Sequence, residues 1–151
     1  MNRIEFLLNP QGSLSGDDDG KDYLVVEVIV DNNPLTNFQW FATDLVHLTK
    51  SAESSGNFYI LTCWCGYPLC AGLKKPITVE HNHDHIVWKI SEPEPVREFK
   101  FDMTQYRTAI DRLSIQGNKL IKRLATTSIR GIEITPDQNN DYFVDPKKYR
   151  T

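Results

Sequence analysis

The sequence contains no long apolar run. A membrane-spanning helix needs about 18 or more consecutive apolar residues, and no stretch of this chain approaches that length. The apolar residues near the N-terminus are interrupted by Glu5 and end at Pro10, so they are too short for the core of a secretion signal. We therefore expect a cytoplasmic protein without a membrane partner.

An excess of positive charge is also missing. The 151 residues include 17 Lys and Arg against 20 Asp and Glu, which gives a net charge of −3. Because nucleic-acid binding depends on cationic groups that neutralise phosphates, we expect no nucleic-acid partner. The charge is uneven, since residues 1–50 carry three basic and eight acidic side chains, a net of −5.

Cysteines are few, and all three lie within residues 63–70. An odd, clustered set does not indicate a disulfide framework. Zinc takes four convergent nitrogen or sulfur ligands, and a nearby histidine would add a nitrogen. Small thiols also fill protein cores without any further role. A zinc-binding or cysteine-dependent protein is therefore an alternative to simple packing, and its candidate residues are Cys63, Cys65, Cys70 and His81.

Familiar catalytic motifs are missing as well. The chain has no Gly-x-Gly-x-x-Gly, no phosphate-binding loop and no Gly-x-Ser-x-Gly elbow. A reactive cysteine needs a neighbour that lowers its pKa, and the sequence places no such group beside the thiols. We expect a protein without enzyme activity, without catalytic residues and without a cofactor.

The chain does contain a concentrated acidic segment. Residues 10–22 hold three Gly, two Ser and four Asp, a composition that predicts a flexible acidic loop. The carboxylates lack the ligand spacing of a calcium-binding loop. Their charge would complement a cationic surface and speed the encounter with a partner. The candidate partner-binding residues are Asp17, Asp18, Asp19 and Asp22.

Apolar spacing predicts two helices. The first begins at Thr36 or Asn37, either of which can cap it. The second runs from Asp102 to about residue 125, and Asp102 with Gln105 resembles a capping box.

Alternating and β-branched runs predict about five strands. They lie at residues 3–8, 23–31, 58–63 and 99–101, with a hairpin over residues 77–90 that turns at residues 82–84. Together the elements predict an α+β fold, a mostly antiparallel sheet of about five strands with two helices packed on one face. We expect a single domain over residues 1–151, with a loose C-terminal tail over residues 136–151.

Residues 61–72 carry the most distinctive motif. A strand enters a Thr-Cys-x-Cys-Gly-x-x-x-Cys-Ala-Gly loop, followed by a Val-rich hairpin that ends in Trp88 and a Phe-x-Phe-Asp helix start at residues 99–102. In these features the chain resembles a group of small bacterial proteins, over residues 23–125.

The size, the acidity and the lack of an export signal also resemble the immunity proteins of contact-dependent growth inhibition. That resemblance implies a cytosolic protein that neutralises one cognate toxin domain, often a nuclease, in a one-to-one complex that covers the toxin's active site. Immunity proteins share no common motif, so the resemblance assigns no role to a particular residue. The sequence therefore favours a non-catalytic protein-binding module.

Overall fold

A computed structural model describes residues 1–11, 22–35, 41–63, 67–121 and 127–129 of the chain. The helices are α1 (Leu45–Ser51) and α2 (Met103–Ile121), and a short 3₁₀ helix spans Pro68–Ala71. Ten strands lie in these ranges: β1 (Ile4–Gln11), β2 (Asp22–Val30), β3 (Asn33–Pro34), β4 (Phe41–Thr43), β5 (Gly56–Phe58), β6 (Leu61–Cys63), β7 (Ile77–His81), β8 (His85–Ile90), β9 (Arg97–Asp102) and β10 (Thr127–Ile129).

Strands β1 and β2 form a long antiparallel pair, which confirms both predicted strands. Eight residue pairs connect them, from Ile4 opposite Val30 to Gln11 opposite Tyr23. Alternate residues of each strand face the core because the side-chain period of a strand is two. The core-facing residues of this pair are Ile4, Phe6, Leu8, Val26, Val28 and Val30.

Two short strands complete this sheet. β3 folds back onto β2 through Asp31 and Asn32, whose φ angles of 51° and 65° are those of a two-residue hairpin turn. Asn and Asp tolerate this left-handed conformation better than other non-glycine residues. β10 pairs in parallel with the start of β2, so the order β1-β2-β10 leaves β1 at a margin of the sheet.

The predicted hairpin over residues 77–90 is confirmed. β7 and β8 pair in antiparallel register, and the N–H of Asn82 closes the turn on the carbonyl of His85 at 2.9 Å. β5 and β9 flank them in a sheet of order β5-β7-β8-β9. The predicted short strand at residues 99–101 lies within β9.

The first helix starts later than predicted. Residues 41–43 form β4, which pairs with β6, and α1 begins only after Asp44. The Asp44 carboxylate caps α1 by accepting hydrogen bonds from the N–H groups of Val46 and His47, each at 3.0 Å. Helical spacing of the apolar residues was therefore misleading here, because residues 41–43 are held by strand pairing. Residues 36–40 lie outside the described ranges.

The predicted strand at residues 58–63 is divided between two sheets. β5 pairs with β7, whereas β6 pairs with β4. Between them, the N–H of Tyr59 donates to His47 Nδ1 at 3.0 Å and the carbonyl of Ile60 accepts from Asp44 N–H at 2.8 Å. The Tyr59 N–H is thus taken by a side chain of α1, whereas the Asp44–Ile60 bond extends the pairing of β4 with β6 by one residue.

Helix α2 begins as predicted. The Asp102 carboxylate accepts a hydrogen bond from the Gln105 N–H at 2.9 Å, which is the N-cap contact. The Gln105 side chain does not return to the cap, as the predicted capping box requires, but bonds to β1 instead. The last residues of the predicted helix, 122–125, lie outside the described ranges.

The main core contains a buried polar network. The Tyr106 hydroxyl lies 2.6 Å from Ser51 Oγ and accepts a hydrogen bond from Trp88 Nε1 at 3.1 Å. Ser51 in turn donates to the carbonyl of Leu48 at 2.5 Å. Burial raises the pKa of Tyr106, so the phenol is neutral and available for these bonds. The Trp88 ring also meets Phe101 edge-on, with centroids 5.3 Å apart.

The predicted α+β class is confirmed, but the predicted single sheet of about five strands is wrong. The described strands form three sheets, because β5 pairs with β7 whereas β6 pairs with β4, and the Tyr59 N–H between them bonds to His47. Helix α2 packs on β1, β8 and β9, and α1 packs beside β5. Neither helix in the described ranges combines the length and apolar character that crossing a membrane requires.

Candidate protein-binding surface

Strand β1 directs half of its backbone groups away from its own sheet. The Arg3 carbonyl accepts from the N–H of Asp31 at 2.9 Å, and the Arg3 N–H donates to Asp31 Oδ1 at 2.8 Å. Consecutive residues of a strand point their N–H and C=O groups to opposite edges. The backbone N–H and C=O groups of the odd-numbered residues of β1 therefore point toward β2. Those of the even-numbered residues Ile4, Phe6 and Leu8 point away from β2, whereas their side chains face the core.

The beginning of this outward edge is closed by two contacts. The N–H of Asn2 donates to the carbonyl of Lys100 in β9 at 2.7 Å, and the Lys100 N–H donates to Asn2 Oδ1 at 2.8 Å. At Ile4, Gln105 Oε1 accepts from the N–H at 3.2 Å and Gln105 Nε2 donates to the carbonyl at 2.6 Å. The Gln105 amide therefore takes the place of a peptide group from a neighbouring strand.

The next part of the edge is unpaired within the described part of the chain, and it is called the open edge below. The outward N–H and C=O groups of Phe6 and Leu8 have no hydrogen-bond partner among the described residues. Of the ten described strands, none continues the line of β9 there, since β9 ends at Asp102 and the chain enters α2. Pro10, the next outward residue, has no N–H. The open edge is thus a short window along β1 that begins after Ile4, which Gln105 covers, and ends at Pro10.

A groove of about 570 Å³ lies between β1 and α2. Its strand side is lined by Arg3, Ile4, Glu5 and Phe6. Neighbouring residues of a strand project to opposite faces, so a groove lined by all four must lie at the edge of β1. Phe6 is the residue that the groove shares with the unpaired part of the edge, because the other strand residues of the groove lie at the part that Gln105 covers and Leu8 does not line the groove.

The opposite wall of the groove is formed by Asp102, by Gln105, Ala109 and Leu113 of helix α2, and by one exposed row of the same helix. The members of this row are spaced four residues apart, which places them on one side of the helix with a rise of about 6 Å between neighbours. All four side chains are exposed and polar: Thr104, Thr108, Arg112 and Gln116. The wall combines hydrogen-bonding groups with a cation, Arg112, near its middle.

Charged groups fix the closed end of the surface. Arg3 and Glu5 form an exposed ion pair at 2.9 Å. Hydrogen bonds from the Asn2 side chain, at 2.7 Å, and from the Arg3 N–H hold the pKa of Asp31 below its usual range. Asp31 is therefore a carboxylate at neutral pH and ties the start of β1 to the end of β2.

The predicted acidic residues adjoin this hairpin at its other end. Asp22 is the first residue of β2, and its backbone lies opposite Thr127 of β10. β1 includes Pro10 and Gln11, so both ends of the predicted loop over residues 10–22 belong to strands. The other three predicted residues, Asp17, Asp18 and Asp19, lie outside the described ranges.

The alternative metal ligands are only partly described. Cys63 ends β6 and is half-buried, Cys70 is exposed in the 3₁₀ helix, and Cys65 lies outside the described ranges. His81 Nε2 lies 2.7 Å from the carbonyl of Ser51, so this ring contacts the end of α1. Within the described ranges, no group of three or more His, Cys, Asp or Glu side chains is placed to hold a metal ion.

Sequence reasoning missed the open edge and assigned Gln105 to a capping box. One signal was present, because proline inside a strand is confined largely to sheet margins. Pro10 therefore pointed to β1 as a marginal strand. The contact of Gln105 with Ile4 joins residues 101 positions apart, which no local pattern reveals.

The chain was compared with protein families, with curated proteins and with solved structures, and none of them matches it.

Proposed function

We propose that this chain is a non-catalytic protein-binding module, and specifically a cytoplasmic immunity protein that neutralises one cognate toxin domain. The observation that carries the proposal is the open edge of β1 beside the α2 groove. Phe6 and Leu8 offer backbone groups there that no described residue pairs.

The closure of the rest of this edge supports the same proposal. Unprotected strand edges invite unwanted pairing, and proteins usually cover or interrupt them. Here Asn2 and Gln105 cover the beginning, and Pro10 ends the row of donors. The unpaired part of the edge is therefore short, which limits unwanted pairing and leaves room for one short segment.

The acidic segment supports a cationic partner. Residues 12–21 connect the distal ends of β1 and β2, so Asp17, Asp18 and Asp19 follow directly on the hairpin that carries the open edge. Carboxylates at that position would steer a basic protein toward the surface. A nuclease domain has a basic active-site cleft to hold phosphates, and it is the toxin class we propose.

The proposal predicts a toxin domain encoded next to the gene for this chain. The two purified proteins, with the toxin inactivated at its active site, should co-elute as a one-to-one complex in size-exclusion chromatography. The active toxin should lose its activity when one equivalent of this chain is added. A toxin that stays active and elutes separately at micromolar concentrations contradicts the proposal.

A matched pair of charge reversals tests the acidic segment. Asp18→Lys should slow association several-fold at low salt, because it reverses a steering charge of the acidic segment. Glu94→Lys makes the same charge change at an exposed residue outside the groove and should leave the rate nearly unchanged. Equal effects of the two variants would show that net charge, and not the acidic segment, guides the encounter.

A further inference from the structure

We infer that the open edge of β1 receives an extended segment of the partner, which adds one strand to the sheet and carries an acidic side chain opposite Arg112. This inference rests on the proposed protein-binding function and specifies how the partner binds. It follows from the directions of the backbone groups, the two ends of the window and the charge of the groove wall.

The backbone groups select an extended occupant. Phe6 and Leu8 each present one N–H and one C=O to the same side of β1, two residues apart. A helix satisfies most of its own backbone groups and cannot pair with such a row. An extended segment presents groups with the same spacing, so it can form four backbone hydrogen bonds with these two residues.

Strand β9 shows where the segment would lie. β9 approaches the outward edge of β1 at Asn2. There the Lys100 carbonyl accepts from the Asn2 N–H, and the Lys100 N–H donates to Asn2 Oδ1. It is then diverted into α2 at Met103, and the Gln105 amide fills only the next position along β1. The added segment would continue the line of β9 over the short window that follows, a length of roughly three to five residues.

The charge that we infer for the segment follows from Arg112 in the groove wall. Arg112 is exposed midway along the polar row of α2. The other charged residues that line the groove already have partners, since Arg3 pairs with Glu5 and the Asp102 carboxylate accepts from the Gln105 N–H. Alternate side chains of a strand in the groove would point toward this wall. A carboxylate among them would pair with the Arg112 guanidinium, whose planar group suits bidentate contact.

A second copy of this chain is a less suitable occupant. Each copy carries its own α2 along the same edge of β1, so pairing two β1 strands would bring both helices toward one groove. Two chains of net charge −3 would also repel each other weakly. A segment from a different protein meets neither obstacle.

Amide hydrogen exchange tests the inference, with the inactivated toxin domain as the probe. In the free protein, the outward amides of Phe6 and Leu8 should exchange rapidly, whereas the amides of Glu5 and Leu7 are protected by β2. In the complex, the two outward amides should exchange on the order of tenfold more slowly, or slower still, with little change at the other two.

The outcomes separate this inference from the proposed function. A stable complex in which Phe6 and Leu8 still exchange rapidly overturns the strand addition and leaves the proposed function standing. Protection of both amides in the free protein also overturns it, because another part of the chain or a second copy then fills the window. A toxin that forms no complex overturns the proposed function, and this inference with it.

A second matched pair tests the acidic segment of the partner. Arg112→Gln should weaken binding of the toxin domain roughly three- to tenfold. Lys119→Gln removes an equal charge from an exposed position on the same helix that does not line the groove, and it should change binding less than about twofold. Equal effects contradict the assigned charge of the segment.

Discussion

Two adjacent residues of helix α2 point into two regions that differ in how completely their polar groups are hydrogen-bonded. Tyr106 enters the closed core, where its hydroxyl, Ser51 and Trp88 are hydrogen-bonded to one another. Gln105 reaches the edge of β1, where it pairs with Ile4 and leaves the next outward groups unpaired by described residues.

The difference follows from access to water. A buried polar group that lacks a partner costs about 1–3 kcal/mol, which favours closed networks such as that of Tyr106. Thr62 Oγ1 is the exception, since it is buried without a hydrogen-bond partner among the described residues. Backbone groups at an exposed edge are hydrated and carry no such penalty until something displaces the water. The closed region accordingly accounts for stability, and the open region is where binding is proposed.

The largest effect on the closed region is expected for Trp88→Ala. Trp88 is fully buried and meets both Phe101 and Tyr106 edge-on. Its truncation should lower the free energy of unfolding by about 3–5 kcal/mol, because it leaves a large cavity. Urea denaturation followed by circular dichroism measures this loss. A loss below about 1 kcal/mol would contradict the assignment of Trp88 to a tightly packed core.

Tyr106→Phe isolates the polar part of the same region. The variant keeps the ring but removes the group that pairs with Ser51 Oγ and Trp88 Nε1. We expect a loss of about 1–3 kcal/mol, since both partners are buried. Tyr59→Phe is the control, because its hydroxyl bonds to the carbonyl of Lys74 at the surface and its loss should cost less. Similar losses for the two variants would show that the core network adds no particular stability.

Gln105→Ala tests the boundary between the regions. It removes two hydrogen bonds to Ile4 at a half-buried site, and we expect a loss of about 1–2 kcal/mol. The amide of Ile4 should also exchange faster, because the open edge becomes longer. Gln116→Ala, at an exposed position in the same groove, should change neither quantity. An unchanged Ile4 amide in Gln105→Ala would contradict the role of Gln105 as a cover.

The smallest effect concerns pH and the start of β1. The folded-state pKa of Asp31 is lowered, so the stabilisation is present above the ordinary carboxyl pKa of about 3.9 and is lost as pH falls through the lower folded value. Asn is suited to the positive φ of this position and cannot ionise. The stability difference between the wild type and Asp31→Asn should therefore shrink as the pH is lowered from about 5 to about 2. Urea titrations at several pH values measure this difference. A difference independent of pH would contradict the carboxylate contacts.

Local patterns predicted much of the fold. The hairpin over residues 77–90 and the Asp102 cap depend on neighbours in sequence, and both are present. The start of α1 and the division of the strand at residues 58–63 depend on the pairing of β4 with β6 and on the hydrogen bond from Tyr59 to His47, which no local pattern contains. Propensity was overruled there by pairing between distant segments.

The candidate surface was harder to predict for the same reason. Charge drew attention to Asp17, Asp18, Asp19 and Asp22, because a run of carboxylates is visible in any sequence. An unpaired edge is visible only when the neighbours of β1 are known, and these include Gln105 from the far end of the chain. In the sequence, Pro10 was the one residue that indicated a marginal strand.

One calorimetric comparison tests the central claim, that the outward backbone groups of β1 bind the partner. Leu8→Pro and Leu8→Ala both remove the leucine side chain, but only proline removes the outward N–H, and the pairing with β2 is kept in both. With the inactivated toxin domain, we expect Leu8→Pro to bind about tenfold or more weakly than Leu8→Ala, a difference near 1.4 kcal/mol. Equal affinities, with both variants folded, would contradict the claim.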